Sequence, residues 1–202
     1  MCSLLPIFFI IMDIVTTIRN FVEEECKKPT SKYGYEPFPC HFVPMVAFAQ
    51  QLAAKLWGDR EIIEISWWLH DIGSILYGRE NHHLTWVEVA EKKLKELWYP
   101  RKKIEQIKNC IFHHRGSQPF EQLTLEEQII VEADVMSTFN NLSGLFKAAL
   151  VYENLSQEEA RISVREKLER KWNQIHFEES RELIRPKYEA AMLLLQDITP
   201  HY

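Results

Sequence analysis

Residues 59–74, DREIIEISWWLHDIGS, contain the feature that decides the fold and raises the main functional question. Up to Leu69 the segment is apolar around most of a helical circumference, which is typical of a central, buried helix. It then ends in an adjacent imidazole and carboxylate, His70 and Asp71. Burying both groups beside two tryptophans costs free energy unless they form a hydrogen-bonded pair, exchange a proton or bind a metal ion. The segment alone leaves these three explanations open.

The rest of the chain predicts further helices and no strands. Residues 42–56 and 101–114 place apolar side chains at helical spacing, and no segment shows the alternation of a half-buried strand. Three capping boxes mark helix starts: Thr85 with Glu88, Thr124 with Glu127, and Ser156 with Glu159. The sequence therefore predicts an all-α fold, a bundle of roughly seven to nine helices.

The composition is that of an ordinary soluble protein. The chain has 202 residues, of which 46% are hydrophobic and 26% are charged, and this suits a single domain. The net charge of −5 argues against a general nucleic-acid binder, which usually has a basic face. The short basic runs at 101–103 and 169–172 lie among glutamates and are interpreted as solvated helix faces. The four cysteines form no CxxC pair, so a cytoplasmic location is expected.

The amino terminus is apolar but does not resemble a targeting or membrane-spanning segment. Residues 1–11 lack a basic region, and Asp13 interrupts the apolar run well short of the length that a bilayer requires. Asp13 is instead expected to cap an amphipathic helix. We therefore expect an upstream extension at residues 1–11, a single domain at 12–202 and no membrane partner.

Histidines cluster where predicted helices begin or end. Six of the eight fall into four groups along the chain: His41, His70, His82 with His83, and His113 with His114. A carboxylate, Asp134, lies in the apolar segment 129–136, where an unpaired charge needs a partner. Imidazole and carboxylate without thiolate is the ligand set of Fe, Mn, Co, Ni or Zn, and Mg fits where carboxylates and waters dominate. We therefore expect one or two divalent metal ions, which would explain why Asp71 is buried.

The order of these residues resembles the HD superfamily of metal-dependent phosphohydrolases. Three local sequences resemble the motifs of that family: HFVPMVAFAQQLA at 41–53, WWLHDIG at 67–73 and EADVMSTF at 132–139. The resemblance runs from residue 41 to residue 134, and further helices are expected at 140–202. It implies a bundle of the HD type with a metal site at converging helix ends. The ligands that it implies are His41, His70, Asp71 and Asp134.

Members of the family with two metal ions have additional histidines, and this chain offers candidates at both places. After the His-Asp turn we favour His83 over His82, because it stands three residues before Trp86, where related sequences often carry a small residue. In the second pair we favour His113 as a ligand of the second metal, with His114 as a further ligand or a substrate contact.

Two branches of the family fit less well. Ser74 stands where the branch that cleaves cyclic di-GMP usually has lysine, and no GYP motif follows. The HD…ED continuation of the guanosine-tetraphosphate hydrolases is also missing after Asp71.

The resemblance implies hydrolysis of a phosphoester or phosphoanhydride bond in a nucleotide or another small phosphorylated substrate. A metal-bound hydroxide, positioned by bridging Asp71, would attack phosphorus, and a protonated His114 would assist the leaving oxygen. Three loop residues are expected to contact the substrate: Arg79, Arg115 and Tyr77. Two alternatives stay open, a mixed-valent diiron oxygenase of the same superfamily and a non-catalytic domain that binds a nucleotide or a partner. Homo-oligomerisation is left open as well.

Overall fold

The structure is a computed structural model that describes residues 13–78, 82–115 and 119–196, except for the side chains of residues 82–85. The expected extension at 1–11, Arg79 and the side chains of His82 and His83 therefore lie outside the described residues. Within those residues the chain forms α-helices and no strand, which confirms the all-α fold. The helices are α1 (Ile14–Lys27), α2 (Val43–Leu56), α3 (Arg60–Leu69), α4 (Ile72–Tyr77), α5 (His82–Glu96), α6 (Arg101–His113), α7 (Leu125–Ser137), α8 (Leu142–Lys147), α9 (Gln157–Asn173) and α10 (Glu178–Leu195).

The described residues form ten α-helices, whereas the sequence predicted roughly seven to nine. Short helices account for the difference. Helices α4 and α8 have six residues each, too few for a hydrophobic periodicity to be recognised. Single π-helical turns precede α2 at Phe38–Phe42 and follow α8 at Ala148–Tyr152. Two 3₁₀ turns cover Phe120–Gln122 and Thr138–Asn140.

Helix starts follow the capping residues of the sequence with one exception. Thr124 and Ser156 form complete capping boxes at the starts of α7 and α9, as expected. Thr85 does not cap a helix, because α5 already begins at His82. The residues 82 and 83 therefore belong to the first turn of α5 and not to the loop before it.

Helix α3 is the centre of the bundle. Its buried side chains cover most of its circumference, as its sequence predicted: Ile62, Ile63, Ile65, Trp67, Trp68 and Leu69. Helices α1, α2, α6 and α7 pack around it. Since burying one such side chain contributes about 1.5–3 kcal/mol, α3 is a major source of stability. Within the described ranges, none of the helices combines the length and the apolar character needed to cross a bilayer.

The bundle has two distinct ends, and a different set of helix termini meets at each. The start of α2, the end of α3 and the end of α6 meet at one end, where His41 and His114 both approach Asp71. The end of α2, the start of α3, the end of α5 and the start of α6 meet at the other, where Tyr99 donates a hydrogen bond to Glu61. The ten residues of α3 separate the two ends by about 15 Å.

Gly73 lets α4 pack directly on α5. A Cβ atom at this position would lie 1.6 Å from Cδ1 of Trp86, which is far inside any allowed contact. Trp86 is 2% exposed and is one of the largest buried side chains. The glycine after the His-Asp pair is therefore required by packing, and it holds the turn that carries both polar residues.

Candidate metal centre

Two breaks in helical structure bring the three central residues together. His41 lies in the π-helical turn before α2, which bends this segment towards the end of α3. His70 caps the carboxyl end of α3, and Asp71 precedes α4 in a non-helical conformation. Adjacent residues within a helix point about 100° apart, so the break between α3 and α4 is what allows both side chains to face the same point.

The ligand atoms of these three residues form a compact triangle. The Nε2 atoms of His41 and His70 are 3.1 Å apart. The Oδ2 atom of Asp71 lies 3.4 Å from Nε2 of His41 and 3.5 Å from Nε2 of His70. Ligands with bonds of about 2.1 Å to one ion are separated by about 3.0–3.4 Å at octahedral or tetrahedral angles. The group therefore has the dimensions of one face of a metal coordination shell.

His70 is held as a neutral ligand. Its Nδ1 donates a hydrogen bond to the carbonyl oxygen of Trp67 at 2.6 Å, so the lone pair is on Nε2, which faces the triangle. The ring is fully buried and stacks on Trp67 with 4.6 Å between centroids. Desolvation lowers the pKa of His70 to about 4, although the charge of Asp71 acts in the opposite direction. At neutral pH the imidazole therefore offers an electron pair and carries no charge.

Asp71 is ionised in these surroundings. Burial would raise the pKa of its carboxyl group, but attraction to His70 and a hydrogen bond from His41 outweigh burial and lower the pKa well below its usual value. Nη2 of Arg115 donates a further hydrogen bond to Oδ1 of Asp71 at 3.1 Å. The carboxylate thus has one oxygen in the triangle and the other against a guanidinium group.

His114 extends the group at the end of α6. Its Nδ1 donates a hydrogen bond to the carbonyl oxygen of Ile111, three residues earlier in the chain. His70 makes the same kind of hydrogen bond to Trp67. Its Nε2 accepts a hydrogen bond from Nε of Arg115 at 3.2 Å and lies 3.9 Å from Oδ1 of Asp71. This arrangement makes Nε2 an electron-pair donor directed towards Asp71, so it suits a metal ligand better than the general acid that we expected.

The structure does not bring His113 into the group. Its Nδ1 lies 3.2 Å from Oε2 of Glu127, which also accepts a hydrogen bond from the backbone of Thr124. His113 and His114 are consecutive residues at the end of a helix, so only one of them can face Asp71. The rotation of α6 about its axis directs His114 towards Asp71 and His113 towards the start of α7.

Asp134 faces the same group from α7 but is engaged by a lysine. Its Oδ2 lies 3.5 Å from Nζ of Lys171 on α9. Burial would raise the pKa of Asp134, but Lys171 first and then the histidines lower it. Asp134 is therefore an ionised carboxylate at the edge of the group, and Lys171 provides its nearest positive charge.

A cavity of about 1100 Å³ opens in front of these residues. Arg115 lines it, as expected for a substrate contact, whereas Tyr77 is not part of its lining and is 60% exposed at the end of α4. Arg79, the other arginine expected to contact the substrate, and the side chain of the expected ligand His83 lie outside the described part of the chain.

Part of the cavity wall consists of residues that the sequence did not assign to the site. Lys147, Lys167 and Lys171 line it, together with His176, which stacks on Phe120 with centroids 3.9 Å apart. Residues 169–172 were interpreted as a solvated helix face, and His176 as a surface or packing residue. No local signal identifies them, because their position at the site depends on how α8, α9 and the residues after α9 pack on the rest of the bundle.

Comparison with known proteins agrees with this arrangement. The family model described as HD domain matches residues 40–138, a range that includes the triangle, His114 and Asp134 and ends before α8. No curated protein and no solved structure gave a significant match. The triangle, its place at converging helix ends and the family match together lead to one conclusion: residues 40–138 are an HD domain, and through it the chain belongs to the HD-domain superfamily.

Proposed function

We propose that the protein is a metal-dependent phosphohydrolase that cleaves a phosphoester or phosphoanhydride bond in a small phosphorylated substrate, such as a nucleotide. The observation that carries the proposal is the triangle of His41, His70 and Asp71, of which His41 and Asp71 lie at the floor of a cavity that cationic side chains also line. Electron-pair donors at the floor suit a divalent cation, and cations on the walls suit the oxygens of a phosphate group.

The residues present fit a divalent metal ion. His70 has its lone pair fixed towards the triangle, and Asp71 supplies the negative charge. His114 is the best-placed fourth donor if Arg115 releases its Nε2, and Asp134 could join if Lys171 moved away from it. A bound divalent ion would polarise the phosphoryl group and lower the pKa of a coordinated water, which generates the nucleophile.

The residues of the chain have separate roles in this proposal. The hydrogen bonds from His70 and His114 to backbone carbonyls fix the orientation of the two rings before a metal binds. Arg115, which stacks on Trp86 at 4.4 Å, holds a guanidinium group beside Asp71 and can donate to a phosphoryl oxygen. Lys171 supplies a second cation from α9.

Metal analysis combined with an activity screen tests this function. The purified protein is assayed for bound metals and for turnover of bis-p-nitrophenyl phosphate and nucleotides with Mn²⁺ or Mg²⁺, with and without O₂. We expect hydrolysis that needs metal and not O₂. In Asp71→Ala, metal binding and turnover should be lost while the helical circular dichroism is retained. Glu121→Ala is the matched control, because Glu121 lines the same cavity without joining the triangle.

Other outcomes of the same experiment would reject the proposal. Two bound irons with a mixed-valent EPR signal and a product that requires O₂ would favour the diiron oxygenase. A pure protein that binds no divalent metal would favour a non-catalytic binding domain.

A further inference from the structure

The end of the bundle opposite the cavity carries two tryptophans that are almost fully exposed. Trp57 follows α2 and is 92% exposed, and Trp98 follows α5 and is 93% exposed. Their loops are neighbours, because Tyr99 and Lys103 both donate hydrogen bonds to Oε1 of Glu61. We define residues 55–61 and 95–103 as the tryptophan end.

Both tryptophans occupy a backbone position that usually belongs to glycine. Their φ angles are 64° and 55°, in the left-handed region. In each case the next residue closes the helix with a hydrogen bond five residues back, from Gly58 to Ala53 and from Tyr99 to Leu94. A bulky residue in this conformation costs free energy, and here neither indole recovers that cost by packing on its own chain. Two such exceptions at one end of the molecule indicate that the indoles contact something else.

The positive charge of the segments that carry these tryptophans favours a negatively charged binding partner. The tryptophan end contains six basic and three acidic residues, a net charge of +3 in a chain whose net charge is −5. Two of the acids are engaged locally, since Glu61 binds Lys103 and the carboxylate of Asp59 accepts hydrogen bonds at the start of α3. The basic residues are Lys55, Arg60, Lys95, Arg101, Lys102 and Lys103. Lys55 and Lys95 pair with Glu182 and Glu91. Within the described residues, the basic side chains at this end that form no ion pair are Arg60, Arg101 and Lys102.

We propose that the tryptophan end docks reversibly on an anionic lipid surface. Indole rings are favoured at the boundary between headgroups and acyl chains, and clustered lysines and arginines are attracted to anionic headgroups. A fluid surface accepts two projecting side chains without a matching pocket, whereas a folded partner would need two pockets at the right separation. Only the tertiary structure suggests this contact, since the sequence led us to expect no membrane partner.

Docking at this end would leave the cavity accessible. Helix α2 begins at the triangle and ends at Trp57, and α6 begins beside Trp98 and ends at His114. The cavity thus opens about 15–20 Å from the lipid surface, as judged by the lengths of the helices between the two ends. The inference is independent of the proposed phosphohydrolase activity.

Vesicle co-sedimentation tests the proposal with the full chain. The probes are vesicles of phosphatidylcholine alone and vesicles of phosphatidylcholine mixed with phosphatidylglycerol. We expect binding to the mixed vesicles that weakens as the salt concentration rises, and little binding to the neutral ones. In Trp57→Gly/Trp98→Gly, partitioning should fall by at least about tenfold. Glycine suits the left-handed backbone at both positions, so this variant should keep its thermal midpoint.

Two further variants make the result specific. Arg101→Gln and Lys102→Gln should each weaken partitioning roughly fivefold, which corresponds to the attraction of one basic residue to an anionic surface. Leu194→Ala is the control, because it removes an exposed apolar side chain (73% exposed) on α10. All variants keep residues 1–12, so any binding by that apolar segment cancels in the comparison.

Three binding results would overturn the inference. They are absence of binding to the mixed vesicles at low salt, equal binding of the double tryptophan variant, and equal binding to neutral and anionic vesicles. A dimer in sedimentation experiments that disappears in the double variant would also overturn it, since the tryptophan end would then be an interface between two copies of the chain.

Discussion

Hydrogen bonds to the backbone decide which histidine nitrogens can bind a metal. His70 and His114 each use Nδ1 on a carbonyl oxygen three residues earlier, which leaves Nε2 directed at Asp71. His113, one residue away from His114, is instead bound to the carboxylate of Glu127. Neighbouring residues of the same type therefore have different roles, and substitutions can separate them.

His114→Ala should weaken divalent-metal affinity by at least about tenfold, because it removes a donor beside Asp71. His113→Ala should leave metal affinity nearly unchanged and lower the free energy of unfolding by about 1 kcal/mol through loss of the contact with Glu127. Metal titration by calorimetry and urea unfolding measure the two effects. If His113→Ala lost the metal and His114→Ala kept it, the assignment made from the phase of α6 would be wrong.

The buried imidazole of His70 makes the stability of the metal-free protein depend on pH. The pKa of histidine is near 6.5 in the unfolded chain and about 4 for His70 in the folded one. Between these values only the unfolded state binds the proton, so the free energy of unfolding should decrease as the pH falls from about 6.5 to 4, by up to about 3 kcal/mol. Above pH 6.5 this contribution does not change.

Urea unfolding in the presence of a chelator measures this dependence. His70→Gln is the comparison, because the difference between the two pH profiles isolates this one group from the other carboxylates and histidines. Parallel profiles for the two proteins between pH 4 and 6.5 would show that His70 is not buried in its neutral form.

At the scale of the helices, the contact between α4 and α5 depends on the absence of a Cβ atom at Gly73. Gly73→Ala should lower the free energy of unfolding by about 3 kcal/mol, because the new Cβ overlaps Cδ1 of Trp86 and one helix must move. The same substitution should cost clearly less in a Trp86→Leu background, where the overlapping ring is gone. Thermal and urea unfolding of the unsubstituted protein, the two single variants and the double variant measure the coupling free energy between the two positions. Additive effects would mean that the two helices do not meet at this point.

Helix α9 contributes to the cavity from outside the matched domain. Lys171 reaches Asp134 from this helix, and Lys167 lines the cavity one turn earlier. If the proposed function is correct, Lys171→Met should raise KM for a phosphorylated substrate by about tenfold and change kcat less, because a charge-assisted contact to the substrate is lost. Arg170→Met, an exposed position on the same helix, should change neither. An unchanged KM for Lys171→Met would restrict Lys171 to the pairing with Asp134.

At the scale of the whole molecule, the candidate metal site joins elements that are distant in sequence. The triangle draws on the turn before α2 and on the junction of α3 and α4, and His114 adds the end of α6. A ligand that binds only the folded state stabilises all of these elements together. Metal binding should therefore raise the free energy of unfolding of the whole protein as well as support activity.

A divalent metal at a hundredfold excess over its dissociation constant should raise the free energy of unfolding by about 2.7 kcal/mol and raise the thermal midpoint accordingly. Differential scanning calorimetry with and without Mn²⁺ measures this, and Asp71→Ala should remove the effect. A midpoint that rises equally in the variant would indicate metal binding elsewhere on the chain.

The sequence by itself determined the all-α class, two of the three capping boxes and the order of the residues that identify the HD domain. These features are local: helical periodicity and caps depend on side chains a few residues apart, and the His-Asp motif is read along the chain. The apolar segment before His70 likewise predicted that α3 is the central helix, and its side chains are buried as expected.

The tertiary structure alone decided which residues share the site. That His114 and not His113 faces Asp71 depends on the rotational phase of α6, and a shift of one residue would exchange them. That Lys171 lines the cavity, that Gly73 meets Trp86 and that Trp57 and Trp98 lie together at the opposite end depends on packing between helices far apart in the chain. The physical reason is that neighbouring residues in the sequence determine whether a residue is helical. The contacts of its side chain are determined by the helices that pack against it.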